Sequence, residues 1–282
     1  MNARSLIDFA ALDTRLETQL EAVGVAVAIG DKTLLAPTTC AFKPGEVTAI
    51  LGPNGAGKST LMSILTGERQ PNAGHVQWQG KPLQSLPLAE LARLRAFVAQ
   101  ETQVAFDFTV REVVELGRYP HRRQPSAQEI SIPMLAMQST HVGDLADRAL
   151  NTLSGGEKAR AHLARALAQA WENTGSNQTR WLLLDEPTAA LDLQHQHRML
   201  QLAKVWAQTQ GIGVVAVLHD LNLALRYSDN ALILADGQLL AQGKTADVLT
   251  PERIGQVWGV VAHPINRGGL LQYVFEPTGE NI

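Results

Sequence analysis

The stretch Gly52-Pro53-Asn54-Gly55-Ala56-Gly57-Lys58-Ser59-Thr60 has the residue types and spacing of a phosphate-binding loop. Cradling a phosphate chain needs several backbone N–H groups turned inward, and glycines at 52, 55 and 57 let the main chain curl that tightly. In such a loop Lys58 reaches the terminal phosphates as a point charge, the Ser59 hydroxyl ligates Mg²⁺, and the helix that follows aims its N-terminal dipole at the anion. The flanks agree with this, because Val47 to Leu51 is a short apolar run of strand type and Ser59 to Thr66 has helical periodicity.

Two further groups could do chemistry on a bound phosphate. Leu182 to Pro187 reads LLLDEP, so a buried strand would carry Asp185 and Glu186 to its carboxyl end, where ligands collect in open α/β sheets. Asp185 can hold Mg²⁺ and Glu186 can orient and polarise an attacking water. Leu153 to Glu157 reads LSGGE and runs into a helical stretch. That makes a second N-terminal anion site, with the Ser154 hydroxyl and the N–H groups of Gly155 and Gly156 as donors.

Strand and helix alternate along the chain, which predicts an α/β fold with helices packed on a sheet. Residues 1–22 stand apart as an N-terminal extension, with Leu6, Phe9, Leu12, Leu16 and Leu20 at loose helical spacing. Val23 to Ile29, Lys32 to Leu35 and Thr38 to Phe42 predict a small antiparallel sheet, with Gly74 to Trp78 as a further strand. After the strand-like Ala96 to Gln100, residues from about 104 to 150 are helical and strand-poor, as in an inserted helical subdomain. Arg180 to Leu184, Gly213 to Leu218 and Ala231 to Ala235 are apolar bursts suited to buried parallel strands, and Leu193 to Gln210 and Leu221 to Tyr227 suit helices between them. The polar stretch Glu172 to Thr179 reads as a surface loop, and residues from about 251 to 282 as a portion packed on the core.

Composition narrows the function classes. A formal charge of −3 over 282 residues gives no domain-wide basic excess for a general nucleic-acid binder. No apolar run reaches membrane-spanning length. The first residues offer no apolar core before a small-residue cleavage site, so neither a secretory nor a transit signal is expected. The lone Cys40 has no partner for an internal disulfide, and a reducing cytosol is the simplest setting.

Taken in order, GPNGAGKST, LSGGE, LLLDEP, Ala190-Leu191-Asp192 and a strand ending before His219 resemble the nucleotide-binding subunit of the ATP-binding cassette (ABC) family. The resemblance covers about residues 23–250 and implies a RecA-like phosphate-loop NTPase core within an ABC ATPase domain over 23–282. It implies ATP and Mg²⁺ as cofactors and gives roles to further residues. Gln100 matches the glutamine that touches Mg²⁺ and the lytic water, His219 the histidine that contacts the γ-phosphate, and Asp192 the aspartate that communicates across a homodimer. Each of two ATP molecules would lie between one subunit's Gly52–Thr60 loop and the other's Ser154, Gly155 and Gly156.

The same resemblance points to an importer's peripheral ATPase at the cytoplasmic face of the bacterial inner membrane. Its partners would be an integral membrane permease dimer and, indirectly, a substrate-binding protein, with no direct contact to nucleic acid. Fused exporters need membrane helices in the chain, and coiled-coil relatives need a long insertion where fewer than a hundred residues separate Thr60 from Leu153. Phe106 to His121 is similar to the ATPases of iron-siderophore, haem and vitamin B12 importers, and RWLLLDEPTAALDLQHQHRML to the haem branch. Ferric siderophore and cobalamin import are the alternatives, with a soluble ABC ATPase clamping nucleic acid or ribosomes as the reading from another class.

Some features stay open at the level of sequence. His195 and His197 could be a metal or haem site or simply a solvated helix face. Arg118, His121, Arg122 and Arg123 could meet a permease or lipid headgroups, or form a solvated loop. Glu157 stands where the family signature most often has glutamine, followed by the unusual Lys158-Ala159. The family's aromatic near the end of the first strand, which stacks on adenine, aligns with Val27.

Overall fold

A computed structural model describes residues 20–100, 107–172 and 179–278. Leu6, Phe9, Leu12 and Leu16, the start of the segment from about 104, Phe106, and most of the polar stretch after Glu172 lie outside the described residues.

Strands β1 (Leu20–Ile29), β2 (Lys32–Phe42), β4 (Ala73–Trp78) and β5 (Lys81–Pro82) form an antiparallel sheet in the order β2-β1-β4-β5. β1 opens at Leu20, three residues before the apolar run beginning at Val23, because fully buried Leu20 pairs with both Phe42 and Trp78. The two runs expected after it are one strand, β2, with Pro37 inside. Proline is tolerated there because β2 lies at the edge of its sheet, where an absent N–H breaks no ladder.

The second sheet has six strands in the order β10-β9-β3-β8-β7-β6. Its members are β3 (Val47–Leu51), β6 (Arg95–Val98), β7 (Trp181–Asp185), β8 (Gly213–Val217), β9 (Asn230–Ala235) and β10 (Gln238–Lys244). All neighbours run parallel except β9 and β10. β3, β7 and β8 are buried along their whole length, which explains why they read as unbroken apolar runs. Successive side chains serve two cores: Ile50, Leu183 and Val215 face the antiparallel sheet, while Ala49, Leu182 and Val214 face the helices. Trp181 bridges toward the antiparallel sheet, its ring edge-on to Trp78 at 6.3 Å. Gly213 makes room for it, since a Cβ there would fall 2.4 Å from the Trp181 ring.

Helices α1 (Lys58–Leu65), α2 (Leu88–Leu94), α5 (Gly155–Gln169), α6 (Leu193–Gln210) and α7 (Leu221–Tyr227) connect these strands. The stretch between β6 and α5 holds α3 (Val110–Leu116), α4 (Ile132–Ser139) and short 3-10 turns, and a single bridge from Thr109 to Ala149 ties its two ends together. α3 and α4 pack on α5 through Val113, Val114, Ile132 and Met137.

At the end of the chain come α8 (Thr245–Val248), α9 (Pro251–Trp258) and a hairpin of β11 (Val260–Arg267) and β12 (Leu270–Pro277). The hairpin is fastened by Tyr273. Its backbone N–H and C=O pair with the Asn222 side-chain amide at 2.8 and 3.0 Å, and its hydroxyl donates to the Leu249 carbonyl at 2.7 Å.

Candidate functional site

Four neighbouring strands, β3, β8, β7 and β6, are parallel, so their carboxyl ends open on one edge of the sheet. The Gly52–Thr60 loop follows β3, His219 follows β8, Asp185 ends β7 with Glu186 next, and Gln100 lies just past β6. Residues spread from Gly52 to His219 thus meet because of strand order alone.

The loop is built by backbone geometry. Gly52 has φ +149°, and a Cβ there would fall 2.1 Å from the Leu234 carbonyl oxygen. Gly57, at φ +97°, is the N-cap of α1, and a Cβ on it would come within 2.8 Å of the Leu34 carbonyl oxygen. Both positions need glycine for conformation and for space. Lys58 is 5 % exposed, and its Nζ donates to the Gly52 and Pro53 carbonyls at 2.9 Å each. Burial lowers the pKa of its ammonium, and the carboxylates of Glu186 and Asp185 act in the opposite direction. The loop's own carbonyls hold the lysine.

Glu186 meets two polar side chains and carries one mark of strain. The His219 Nε2 lies 2.7 Å from its Oε1, and the Gln100 side-chain amide donates to its Oε2 at 2.8 Å. Its φ of +49° is unfavourable for a residue with a Cβ, and such strain persists where the surrounding structure over-determines it.

Asp185 lies behind it, 8 % exposed. Burial and the neighbouring Glu186 raise its pKa, against a hydrogen bond from Ser59 and the charge of Lys58. Its Oδ1 is buried without a hydrogen-bond partner. An unpaired carboxylate oxygen beside a hydroxyl is a hard-oxygen donor set of the kind Mg²⁺ takes, so these residues fit the ion.

The Ser154 to Glu157 turn forms the N-terminus of α5. Ser154 is the N-cap, and a complete capping box uses its side chain: the hydroxyl lies 2.8 Å from Glu157 Oε2 and accepts from the Glu157 N–H at 3.3 Å, while Glu157 Oε2 accepts the Ser154 N–H at 2.8 Å. These hydrogen bonds from Ser154 lower the Glu157 pKa. The hydroxyl expected as a free phosphate donor is therefore engaged within its own turn. The Gly155 and Gly156 N–H groups, in the first turn, have no intrahelical acceptor. Asp192 is the N-cap of α6 and accepts the His195 backbone N–H at 2.8 Å.

Several sequence expectations take a different form. His195 turns its Nδ1 to Asp192 at 2.8 Å and His197 turns its own to the Tyr227 hydroxyl at 2.7 Å, so the two rings serve different partners. Among the described residues no group of three or more His, Cys, Asp or Glu could hold a metal ion. Arg118 and His121 do not belong to a surface cluster, being 6 % and 1 % exposed. Arg118 makes a fork on Glu129 at 2.9 and 2.7 Å and donates to the Ala168 carbonyl at 2.7 Å. His121 Nε2 donates to the Gln169 carbonyl at 2.9 Å. Arg122 and Arg123 are exposed, Arg122 stacked over the Tyr119 ring at 4.2 Å.

Val27 faces the core at 3 % exposure and cannot meet a base. Ile29, at the end of the same strand, is 61 % exposed. Irregular register on either side of Val27 hid this from a simple alternation of strand faces. The donors to the C-terminus of α5 were also missed, because Arg118 and His121 look like surface residues in a polar stretch and only packing shows them aimed inward.

Residues 35–189 match the family described as ABC transporter. The chain is 47 % identical over 236 residues to the Hemin import ATP-binding protein HmuV of Methylobacillus flagellatus, covering 83 % of this chain and 87 % of that one. Among solved structures it is similar to an inward-facing metal-chelate type ABC transporter, with a TM-score of 0.75, 25 % identity, and coverage of 93 % and 98 %. It is also similar to a dimeric post-hydrolysis ATP-binding cassette bound to ADP and Pi, with a TM-score of 0.69, 29 % identity, and coverage of 80 % and 98 %.

Proposed function

The chain belongs to the ABC transporter family, and from that premise we propose that it is the ATP-hydrolysing subunit of a haem importer. Two copies bind two ATP molecules and drive a separate permease from the cytoplasmic face of the inner membrane. The observation that carries the ATPase reading is the convergence of Lys58, Asp185, Glu186, His219 and Gln100 at adjacent strand ends. The haemin-import relative supports the cargo. Among the described residues no helix is long and apolar enough to cross a membrane, which is compatible with a separate permease supplying the path.

In the mechanism, the N–H groups of the Gly52–Thr60 loop cradle the phosphates, and Lys58 exchanges the Gly52 and Pro53 carbonyls for phosphate oxygens. Ser59, Asp185 and Gln100 would hold Mg²⁺, which neutralises charge developing on the phosphates. Glu186 accepts a proton from the lytic water as its oxygen bonds to the γ-phosphorus and the bond to the β–γ bridging oxygen breaks. Both oxygens of Glu186 are engaged, by His219 and Gln100. A γ-phosphate that draws His219 toward itself frees one of them for water. The partner subunit's Gly155 and Gly156 N–H groups close the site from the other side, and Asp192 lies at the shared interface.

Reconstitution with the cognate permease and binding protein tests both parts. Glu186→Gln keeps ATP binding and lowers hydrolysis by at least about a hundredfold, because the amide keeps the shape and loses the base. Turnover near the unmodified rate would remove Glu186 from this role. Haem-loaded binding protein stimulates ATPase and haem enters the vesicles. Stimulation by a ferric siderophore or cobalamin complex instead would reassign the cargo and leave the ATPase assignment intact.

A further inference from the structure

A cavity of about 260 Å³ lies away from the phosphate loop, between the end of α4, the middle of α5 and the first half of α6. Its lining divides by chemistry. Leu163, Met199, Leu202 and Val205 give it an apolar wall, and Arg160 and Arg198 bring two guanidinium groups to the same space. No Asp or Glu lines it. The backbone of His141, at φ +55°, turns the chain at one end of the cavity.

The two arginines are under-used. Arg160 Nη1 donates to the His141 carbonyl at 2.6 Å, yet its Nε is buried without a partner. A buried donor left unpaired costs about 1 to 3 kcal/mol, which an acceptor bound in the cavity would recover. Arg198, one helical turn beyond His195, forms no hydrogen bond or ion pair among the described residues. The Asp192 carboxylate, the acid nearest along the chain, is already taken by His195. An apolar wall beside one buried, unpaired guanidinium N–H of Arg160 and the solvent-facing guanidinium of Arg198, with no Asp or Glu among the described lining residues, is complementary to a molecule with a negative head and a short apolar body.

We propose that this cavity binds a small amphipathic carboxylate, its head on Arg160 and Arg198 and its apolar part against Leu163, Met199, Leu202 and Val205. The size limits the ligand to roughly ten non-hydrogen atoms, since the cavity falls just below the range of drug-sized sites. The bound molecule bridges α5 and α6, the two helices capped by Ser154 and Asp192. It is a site separate from the nucleotide and from the cargo path.

The experiment is calorimetric titration of the full-length chain with hexanoate, hexylammonium and acetate. Hexanoate binds saturably with a Kd of about 1 mM or tighter. Hexylammonium, with the same body and opposite charge, does not bind, and acetate, with the head alone, binds at least about tenfold more weakly. Arg198→Gln weakens hexanoate at least about tenfold, Arg198→Lys restores part of it, and Val205→Glu, an exposed position that folding tolerates, excludes it by charge. Basal ATPase stays unchanged in all three. Absence of saturable hexanoate binding, equal binding of hexylammonium or acetate, or full retention in Arg198→Gln and Val205→Glu overturns the proposal.

Discussion

The phosphate loop and the Ser154 turn present the same chemistry, N–H groups at a helix N-terminus, but the protein builds them in opposite ways. The loop is held from behind by β3 and by contacts of glycine backbone with the Leu34 and Leu234 carbonyls, so its shape is fixed by main chain packed on main chain. The Ser154 turn is held by its own capping box, and the position of α5 as a whole is set at its other end. There Arg118, His121 and Arg180 donate to three successive carbonyls, of Ala168, Gln169 and Ala170. Donors at a helix C-terminus satisfy orphan carbonyls, and the guanidinium charges of Arg118 and Arg180 also interact favourably with the dipole, whereas burial and Arg118 push the His121 pKa down. Arg118 and His121 come from the segment between α3 and α4, and Arg180 from the residue before β7. One anion site is therefore rigid in place, while the other rides on a rod whose tail is gripped by two parts of the molecule.

The largest effect that separates the two constructions comes from adding one methyl group. Gly52→Ala puts a Cβ 2.1 Å from a backbone carbonyl at φ +149°, which neither partner can relieve. Nucleotide binding is lost and thermal stability falls by several degrees, measured by titration of a fluorescent ATP analogue and by calorimetry. Gly155→Ala meets only the Ala190 Cβ at an ordinary 3.7 Å, so the melting temperature stays within about 3 °C of the unmodified chain. Equal destabilisation by the two substitutions would mean the turn is as tightly enclosed as the loop.

Next in size is the grip on the tail of α5. Arg118→Met removes a buried guanidinium and leaves the Ala168 carbonyl without that donor and Glu129 with only the Ser126 N–H, a loss of about 3 kcal/mol in denaturant unfolding. ATP affinity of the folded protein changes little, because the phosphate loop rests on other elements. Turnover falls more than affinity if α5 aims the Ser154 turn. A variant that lost both equally would place the loop and the tail in one cooperative unit.

α5 also carries a pH dependence just below neutrality, at His162. His162 is 4 % exposed and neither ring nitrogen has a partner, so burial, with help from Arg165 and Lys158, lowers its pKa to about 4. The unfolded chain binds the proton near pH 6.5 and the folded one only near 4, so the native state loses stability as pH falls through that window. Between pH 7.5 and 5 the expected loss is about 2 kcal/mol from this residue. His162→Leu flattens the slope by that amount, read from denaturant unfolding at the two pH values. An unchanged slope would mean that the ring finds a proton acceptor.

What could be read from sequence follows the same division. The phosphate loop was legible because its constraint is on residue type at fixed spacing: glycine where φ is positive and lysine where a phosphate must be met. Parallel strands β3, β7 and β8 and helices α6 and α7 were legible because burial on both faces, or one apolar stripe, leaves a continuous pattern. Contacts made by Arg118 and His121 were not, since a buried cation is recognised by the carbonyl that receives it, and that carbonyl is about 50 residues away in sequence. β10 was missed because its side chains alternate between exposed and half-buried and it contributes no apolar burst. The hairpin of β11 and β12 was missed for a similar reason, with only Ala262 and Tyr273 truly buried.

The smallest expected effect lies at the rim of the loop, where the strand register decides which side chain could meet a base. Strand β2 carries the Leu34 carbonyl up to Gly57 of the phosphate loop, and the β1–β2 hairpin ends at Ile29. Ile29 is the large apolar residue exposed at that hairpin's end and Val27 points into the core. Ile29→Tyr supplies a ring to an adenine, and aromatic stacking on a base is worth about 1 to 3 kcal/mol where it has been measured in nucleic-acid complexes. An increase in ATP affinity of up to about tenfold is expected, with little change in maximal rate, since the phosphate contacts are untouched. Val27→Tyr does the reverse: it overpacks the core, costs about 1 to 3 kcal/mol of stability and gives no gain in affinity. Paired titrations with ATP and GTP on the three proteins provide the measurement. Without the ring the native chain should distinguish the two bases poorly, and strong ATP preference that Ile29→Tyr leaves unchanged would mean that another side chain already holds the adenine.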